Sequence, residues 1–268
     1  MSFKDKLKAS QGGSGNFVKL PIAVSFSLGE DGGGVYFKSY DTEKQENVFL
    51  DKPITGMYIG GAMKLSAYDD NIGSKGGNVF SAHYFTKENI TLFKPGKTVE
   101  KVCVGNMDVI EKWIAENTTS RVAKKKWCFM ILTKDGLIEV QTNMVIAIDQ
   151  LKKNKEGISE RYVTLTPTLY TPKTDISKSA HDYLGKFAKK NPPKFAYLTL
   201  GAFISEDDFN NWNAEAAINA FTEYKAQQSK PDKIEVQPTA DPPHDHAQAS
   251  NEIPQGFNAS DLDNQLPF

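Results

Sequence analysis

Short apolar and aromatic segments alternate with glycine, aspartate and asparagine over most of the first hundred residues. They are rich in Val, Ile, Tyr and Phe, and several repeat apolar and polar positions with a period of two, which is typical of half-buried strands. They read NFVKLPIAVSF (16–26), GGVYFKSYD (33–41), ENVFLD (46–51), GMYIGGAMKLSAYD (56–69) and GNVFSAHYF (77–85). The pattern predicts a strand-rich N-terminal half.

The second half mixes strand and helix patterns. Four further segments predict strands: KKKWCFMILT (124–133), GLIEVQTNMVIAID (136–149), RYVTLTPTLYT (161–171) and KFAYLTLGAF (194–203). The pair Asp135-Gly136 between two apolar runs indicates a hairpin. Apolar residues at three- and four-residue steps predict helices over 107–117, 176–190 and 205–228. The chain is therefore expected to be mainly β with helical additions, as a small barrel or a curved sheet.

Composition divides the chain into three parts. Residues 1–15 carry Lys4, Lys6 and Lys8 before a Gly/Ser cluster, which predicts a flexible basic arm or simply a frayed terminus. Residues 16–226 form the predicted folded body. Residues 227–268 are rich in Pro, Asp, Ser, Asn and Gln, so they bury too little apolar surface to fold and are predicted to be disordered.

The overall composition indicates a soluble globular protein. Of 268 residues, 39% are hydrophobic and 24% charged, and no run of 18 apolar residues occurs. The first residues lack the apolar stretch of a secretory signal. Cys103 and Cys128 are the only cysteines, which gives no disulfide framework. We therefore expect a reducing, cytoplasmic location.

The net charge of −1 is unevenly distributed. From Glu235 to Phe268 there are six acids and no Lys or Arg, which leaves 32 bases against 27 acids in the rest of the chain. A basic body with an acidic tail predicts an anionic partner for the body. The alternative is an ordinary solvated surface with a tail that aids solubility.

Catalytic motifs are missing from the sequence. There is no G-x-S-x-G, H-E-x-x-H or phosphate-loop pattern. The glycine-rich segments 29–34 and 73–77 do not lead into a helix, so we interpret them as hairpin loops. His244 and His246 could hold a metal only weakly, because nothing fixes their geometry. The sequence predicts no enzyme, no metal and no cofactor, although an enzyme with an unrecognised site stays an alternative.

Lysines and aromatic residues are interleaved on the predicted strands. Single-stranded nucleic acid needs this combination, since cations bind its phosphates and flat apolar rings stack on its unpaired bases. The candidate DNA-binding residues are Tyr36, Lys38, Tyr40, Tyr58, Lys64, Tyr68, Phe85, Lys87, Lys124, Lys125, Lys126 and Trp127, with His83 beside them. The alternative for each ring is a place in the core, which also suits amphipathic aromatics.

The last eight residues, DLDNQLPF (261–268), place an acidic stretch before an apolar end. They resemble the C-terminal tip of bacterial single-stranded-DNA-binding proteins, in which an oligonucleotide-binding barrel is followed by a disordered linker and an acidic tip ending in a hydrophobic residue, Pro and Phe. The matching positions, which form the predicted partner-binding tip, are Asp261, Asp263, Leu266, Pro267 and Phe268. Asn264 and Gln265 stand where that family often has further acids.

The resemblance implies an elaborated oligonucleotide-binding barrel that binds and protects single-stranded DNA in replication, recombination or repair. It also implies recruitment of partner enzymes through the tip, and the divergent body favours a bacteriophage-encoded form acting in the host cytoplasm. The basic arm suggests self-association along the strand. The alternative function is a β-rich viral structural or assembly protein that does not bind nucleic acid.

Overall fold

The computed structural model describes residues 21–27, 34–41, 46–50, 52–188 and 192–229. The predicted arm, 1–15, and the tail beyond residue 229 lie outside these residues. Eleven strands are present in the described part: β1 (Pro21–Ser27), β2 (Gly34–Asp41), β3 (Glu46–Leu50), β4 (Ile54–Asp69), β5 (Gly77–Ser81), β6 (Ile90–Lys94), β7 (Glu100–Gly105), β8 (Lys124–Thr133), β9 (Gly136–Asn143), β10 (Arg161–Leu169) and β11 (Lys194–Phe203). The mainly β prediction is thus confirmed.

The same residues also contain five helices, all of them after position 106. They are α1 (Met107–Asn117), α2 (Met144–Lys153), α3 (Lys178–Ala188), α4 (Glu206–Asn211) and α5 (Ala214–Gln228). Helix α5 continues two residues past the boundary predicted at 226. None of the helices in the described ranges has both the length and the apolarity that a membrane crossing requires.

One mixed sheet contains all eleven strands. Its main path runs β3-β2-β1-β9-β8-β4-β5-β6-β7, and β10 pairs with the first half of β4 and with β11. Most neighbours are antiparallel, but β1 pairs with β9 in parallel, through Pro21–Ala23 and Glu139–Gln141. The Asp135-Gly136 turn joins β8 to β9 as predicted, and Gly136 has a φ of 119°, which glycine adopts without steric cost.

The sheet does not close into a barrel. Strands β10 and β11 instead cover part of one sheet face, where the Ala196 N–H donates to Thr142 Oγ1 at 2.7 Å and the Leu198 N–H donates to Gln150 Oε1 at 3.0 Å. Both acceptors are side chains, from β9 and α2, and within the described residues β11 pairs through its backbone with β10 and not with β9. The part of the fold prediction that is confirmed is a mainly β fold with helical additions.

Side-chain alternation gives the central strands two different faces. The core face carries Trp127, Phe129 and Ile131 of β8, which pack with apolar residues of α1, α2, β10 and β11 in the largest buried cluster. The opposite face, called the α5 face, carries Ala62, Cys128 and Met130, which pack with Ala217, Phe221 and Tyr224 of α5. Every second residue of β4, β8 and β9 therefore points towards α5 or towards the surface beside it.

Two adjacent glycines let both layers approach strand β4. A Cβ on Gly60 would lie 2.2 Å from a ring carbon of Phe221, and a Cβ on Gly61 would lie 2.1 Å from a ring carbon of Trp127. Carbon atoms in contact need about 3.5–4.0 Å. Helix α5 and the Trp127 indole therefore rest directly on the backbone of β4, which also has a β-bulge between Tyr58 and Gly60.

Two sequence predictions need correction. The strand predicted over 136–149 ends at Asn143, where the Asn143 side chain accepts the N–H groups of Val145 and Ile146 and begins α2. The helix predicted over 205–228 is two helices, because Asn213 adopts the left-handed conformation with a φ of 58° between α4 and α5. In both cases an asparagine ends one element and begins the next. The spacing of the apolar residues continues across the asparagine, so spacing alone does not show the boundary.

Candidate nucleic-acid interface

A continuous row of paired residues crosses six strands on the α5 face. Ala62 pairs with Cys128, Cys128 with Gln141, Gln141 with Ala23, Ala23 with Lys38 and Lys38 with Phe49. Paired residues of adjacent strands point to the same side of a sheet. Since neighbouring strands lie about 4.8 Å apart, the row from β4 to β3 is about 24 Å wide.

Lysines and aromatic rings lie along this row on the same face. Lys64 pairs with Lys126 two residues along from the row, and Ser66 pairs with Lys124 four residues along from it. Tyr36 lies two residues from Lys38, and its ring meets Phe49 edge-on at a centroid distance of 6.4 Å. Phe49 is 49% exposed and Tyr68 is 37% exposed. We call this set the lysine strip: Tyr36, Lys38, Phe49, Lys64, Tyr68, Lys124 and Lys126.

A buried polar cluster lies where the lysine strip meets helix α5. Glu139 Oε1 accepts from Lys64 Nζ at 2.9 Å, and Glu139 Oε2 accepts from His83 Nε2 at 2.8 Å. The Gln141 amide also donates to Glu139 Oε1 at 2.6 Å and accepts from Lys126 Nζ at 3.4 Å. On the far side, the Tyr224 hydroxyl of α5 lies 2.8 Å from His83 Nδ1. The carboxylate is thus the centre of a network that links the strip to the helix.

Charge and burial decide the protonation states of this cluster. Burial alone would raise the pKa of Glu139, but the hydrogen bond from His83 and the charge and hydrogen bond of Lys64 hold that pKa well below its ordinary value. Burial lowers the pKa of His83, the Glu139 contacts oppose this, and the Lys64 charge adds to the lowering. At neutral pH, Glu139 is therefore ionised and His83 is neutral.

These protonation states fix the direction of both histidine hydrogen bonds. An ionised carboxylate can only accept, so His83 Nε2 carries the proton and donates to Glu139. In a neutral imidazole the other nitrogen is then an acceptor, so the Tyr224 hydroxyl donates to His83 Nδ1. Tyr224 thus orients the His83 ring so that Nε2 donates to the carboxylate. The hydrogen bonds from Tyr224 to His83 and from His83 to Glu139 attach α5 to the sheet, and each has a defined donor and acceptor.

Lys126 is a half-buried cation, and its positive charge is only weakly stabilised by nearby negative charge and hydrogen bonds. Burial lowers its pKa, and the nearby ammonium groups of Lys64 and Lys124 add to the lowering, while the only nearby carboxylate in the described cluster is Glu139. Its hydrogen bond to the neutral Gln141 side chain is long, at 3.4 Å. The two paired lysines, Lys64 and Lys126, therefore share one carboxylate and leave an excess positive charge at the surface of the strip.

The cluster also contains a set of metal-ligand residue types. One ligand atom each from His83, Cys128 and Glu139 lies within 4.8 Å of the others, and all three residues are buried. However, Lys64 Nζ already contacts both carboxylate oxygens of Glu139, at 2.9 and 3.2 Å. Burial also raises the pKa of the Cys128 thiol well above its ordinary value, which disfavours the thiolate that a metal needs. The arrangement fits an ion pair better than a metal centre.

The structure brings some of the sequence-predicted site residues together. Tyr36, Lys38, Lys64, Tyr68, Lys124 and Lys126 belong to the lysine strip. Tyr68 is partly held in place there, because its hydroxyl donates to the Lys75 carbonyl at 3.0 Å. By alternation along β2, position 40 is on the same face as Tyr36 and Lys38, but the Tyr40 side chain lies outside the described part. His244, His246 and the tip residues Asp261, Asp263, Leu266, Pro267 and Phe268 lie outside it as well.

Five other predicted residues lie outside the strip, and the stacking or phosphate roles predicted for four of them need correction. Trp127 is 1% exposed on the core face, so no side of its ring is open to a base. Tyr58 packs edge-on against Phe129 at 6.1 Å, and burial raises the pKa of its hydroxyl. The Phe85 ring packs against Phe221 and Tyr224 beneath α5.

The fourth is Lys125, which points away from the strip. It pairs with Leu65, on the core-face side of β8, and its ammonium contacts Glu111 of α1 at 2.5 Å. Lys87 lies in the loop after β5, where its carbonyl accepts the Met107 N–H at 2.7 Å. The lysine triplet is thus divided by strand alternation into two strip residues and one residue that stabilises α1.

Sequence reasoning missed Glu139, Gln141, Phe49 and Tyr224. A signal for the first two exists, because GLIEVQTN places a carboxylate and an amide in alternation within an otherwise apolar strand. No local signal identifies Tyr224, which meets His83 only through tertiary packing.

Known proteins offer no match from which a class could be assigned to this fold and site. No family model, no curated protein and no solved structure matches the chain. Any functional conclusion therefore depends on the residues themselves.

Proposed function

We propose that this protein binds single-stranded DNA along the lysine strip. The observation that supports the proposal is the cross-strand row on the α5 face, which groups four lysines and three aromatic side chains on one side of six adjacent strands. One ionised carboxylate, Glu139, accompanies the four lysines within the described cluster. A surface of this charge attracts a polyanion.

The ring geometry favours unpaired bases over a duplex. Stacking of a base on an aromatic side chain contributes about 1–3 kcal/mol and tolerates any sequence. Phe49 and Tyr36 offer such faces at one end of the strip, and Tyr68 offers one at the other. Reading a duplex would instead call for a helix with Arg, Asn or Gln directed at base edges. The aromatic rings of the lysine strip are on β-strands, which is the arrangement of surfaces on which the bases of single-stranded nucleic acid stack.

The wider role proposed is protection of unwound strands in replication, recombination or repair, with partner enzymes captured by the tip at Leu266–Phe268. A bacteriophage origin and action in the host cytoplasm belong to the same proposal, because the tip resembles that of bacterial single-stranded-DNA-binding proteins while the body differs. We also propose that the fold is an elaborated, open variant of the oligonucleotide-binding fold. The contacts of Ala196 with Thr142 and of Leu198 with Gln150 support this, since they bring β11 close to β9 and α2. The proposal includes no catalytic step and no cofactor.

Fluorescence anisotropy with labelled oligothymidine tests the proposal. We expect the double variant Lys38→Ala/Lys124→Ala to bind more weakly and with a lower salt slope, by about 0.7 for each lysine that meets a phosphate. The matched control is Lys112→Ala/Lys152→Ala, which removes two exposed lysines from α1 and α2 on the other side of the sheet. Its affinity should equal that of the wild type.

Two outcomes contradict the proposal. If the wild-type chain does not bind oligothymidine at low salt, the alternative of a β-rich viral structural or assembly protein is favoured. If both double variants lose affinity equally, binding is a general charge effect and the strip is not the site.

A further inference from the structure

We propose that Lys64 and Lys126 form a seat for one phosphate group of the bound strand, and that filling this seat makes His83 take up a proton. The inference rests on the proposed function and specifies one subsite within it. It follows from an unequal arrangement, in which Glu139 accepts from Lys64 while Lys126 donates to the neutral Gln141 side chain.

The seat is formed by two lysine ammonium groups that have one carboxylate, Glu139, between them. One positive charge is therefore left without a matching negative charge. Lys64 and Lys126 are directly paired on β4 and β8, so their side chains leave the sheet side by side. Lys64 is bound to Glu139, whereas the hydrogen-bond partner of Lys126 among the described residues is the neutral Gln141 oxygen at 3.4 Å. An anion placed between the two ammonium groups would neutralise the excess charge. A phosphodiester carries one negative charge at neutral pH.

Filling the seat weakens the bond between Lys64 and Glu139. The side chain of Lys64 is 17% exposed, so its ammonium can turn from the carboxylate towards a phosphate at the surface. Glu139 is 2% exposed and cannot follow. A buried carboxylate that loses its cation must gain another or lose its own charge. Without one of these changes, the bound state would be strongly destabilised.

His83 is the group that can supply the replacement cation. Its Nε2 already lies 2.8 Å from Glu139 Oε2, so protonation of the ring creates a direct ion pair without movement. The new proton would be on Nδ1, beside the Tyr224 hydroxyl, which can accept as well as donate. The hydrogen bond to α5 is thus kept with its direction reversed.

The other groups around His83 do not offer this exchange. Glu139 of β9 and Lys64 of β4 are the two charges that face it directly. Cys128 of β8 stays a neutral thiol, since burial and the Glu139 charge raise its pKa well above the ordinary value. Tyr224 of α5 stays a neutral hydroxyl, since burial raises its pKa. Lys126 of β8 stays a cation, since the bound phosphate stabilises its charge. Proton uptake at neutral pH therefore belongs to His83.

Calorimetry of the full-length protein with oligothymidine measures the proton directly. Titrations in buffers of different ionisation enthalpy, at about pH 6.5 where an ordinary histidine is half protonated, give the number of protons bound. We expect uptake of up to one proton per seat, so that affinity rises by up to about tenfold for each unit that the pH falls. His83→Gln should remove the uptake, and the control His181→Gln should keep it.

A second measurement needs no ligand. In Lys64→Met, Glu139 has already lost its ammonium, so the NMR titration midpoint of the His83 ring should lie at higher pH than in the wild type. The wild-type midpoint should also rise when oligothymidine is added.

The results separate this inference from the proposed function. Tight binding without proton uptake, or equal uptake by wild type and His83→Gln, overturns the phosphate seat and leaves strand binding intact. A midpoint of His83 that does not change in Lys64→Met also overturns it. Failure to bind oligothymidine at all overturns the proposed function, and the seat with it.

Discussion

His83 and Tyr224 are separated by 141 positions in the sequence, yet the histidine Nδ1 and the tyrosine hydroxyl lie 2.8 Å apart in a buried hydrogen bond. This bond connects the last described helix, α5, to the loop after β5. Because His83 also contacts Glu139, the same bond links α5 to the centre of the sheet.

Removal of the Tyr224 hydroxyl should therefore loosen α5. We expect Tyr224→Phe to lower the free energy of unfolding by about 1–2 kcal/mol, because the buried His83 Nδ1 loses its donor. Tyr68→Phe is the matched control, since it also removes one hydroxyl with one hydrogen bond, but at an exposed site. Urea unfolding compares the two variants, and equal losses would show that the buried bond contributes no more than the exposed one.

Stability should fall on acidification in two stages. His83 has its pKa lowered in the folded state, so its contribution is complete above its unfolded pKa, at about 6.5, and is lost as the pH falls below that. The Glu139 pKa is also lowered, so its contribution is complete above about pH 4.3 and is lost at still lower pH. Urea unfolding of His83→Gln across this range should lack the first stage, whereas His181→Gln should retain it.

A methyl group at position 61 should be poorly tolerated. We expect Gly61→Ala to destabilise the fold by about 1–3 kcal/mol or more, since the new Cβ would overlap the buried Trp127 ring. Gly185→Ala is the control, because this glycine lies within α3 with its nearest contact at 3.9 Å. Thermal unfolding should show the control unchanged or stabilised by up to about 1 kcal/mol through helix propensity. Equal stability of both variants would contradict the described packing of β4.

Removal of the tail should strengthen strand binding at low salt. The last described residue, Ser229, is held by Asn89, whose amide donates to the Ser229 carbonyl at 3.1 Å, so truncation after Ser229 keeps α5 complete. The truncated chain loses the six acids of residues 235–268, which compete with a strand for the lysines. Anisotropy titrations at low and high salt measure the effect, and weaker binding by the truncated chain would count against it.

Deletion of Phe268 should separate partner capture from strand binding. Phe268 is the aromatic residue of the proposed docking motif, so we expect its loss to abolish recovery of replication proteins from a host lysate by DNA-bound protein. Oligothymidine affinity should stay unchanged. Changing Asp261 and Asp263 to Asn should weaken capture less, and mainly at low salt. Identical pull-downs by wild type and the deletion would show that the tip is not a docking motif.

Local pattern predicted the strands better than it predicted the site. Alternation placed Tyr36 and Lys38 together on one side of β2, and both belong to the strip. It could not show which side of a central strand faces the core, so Trp127 looked available although it is 1% exposed. The apolar run from Gly136 to Asp149 likewise continues across the strand end, because only the Asn143 side chain marks the start of α2.

The buried polar cluster could not be predicted from the sequence, for a different reason. His83, Glu139 and Tyr224 come from three distant parts of the chain, and no spacing rule connects them. A glutamate in an apolar strand indicates a partner but does not identify it. Only the folded structure shows that the Lys64 ammonium and the neutral His83 ring are the groups that contact it.

The parallel seam between β1 and β9 has a consequence for how the molecule assembles. Lys64, Lys124 and Lys126 lie on the antiparallel pair of β4 and β8, whereas Lys38 and Phe49 lie on β2 and β3. In the described part of the chain, β2 and β3 are paired with the rest of the sheet through β1, whose residues Pro21–Ala23 pair with Glu139–Gln141 of β9. Contacts between segments so far apart in the chain form late and slowly in folding. The strip is thus complete only when its two parts dock, and a strand bound across the seam would hold them together as a ligand holds a native state.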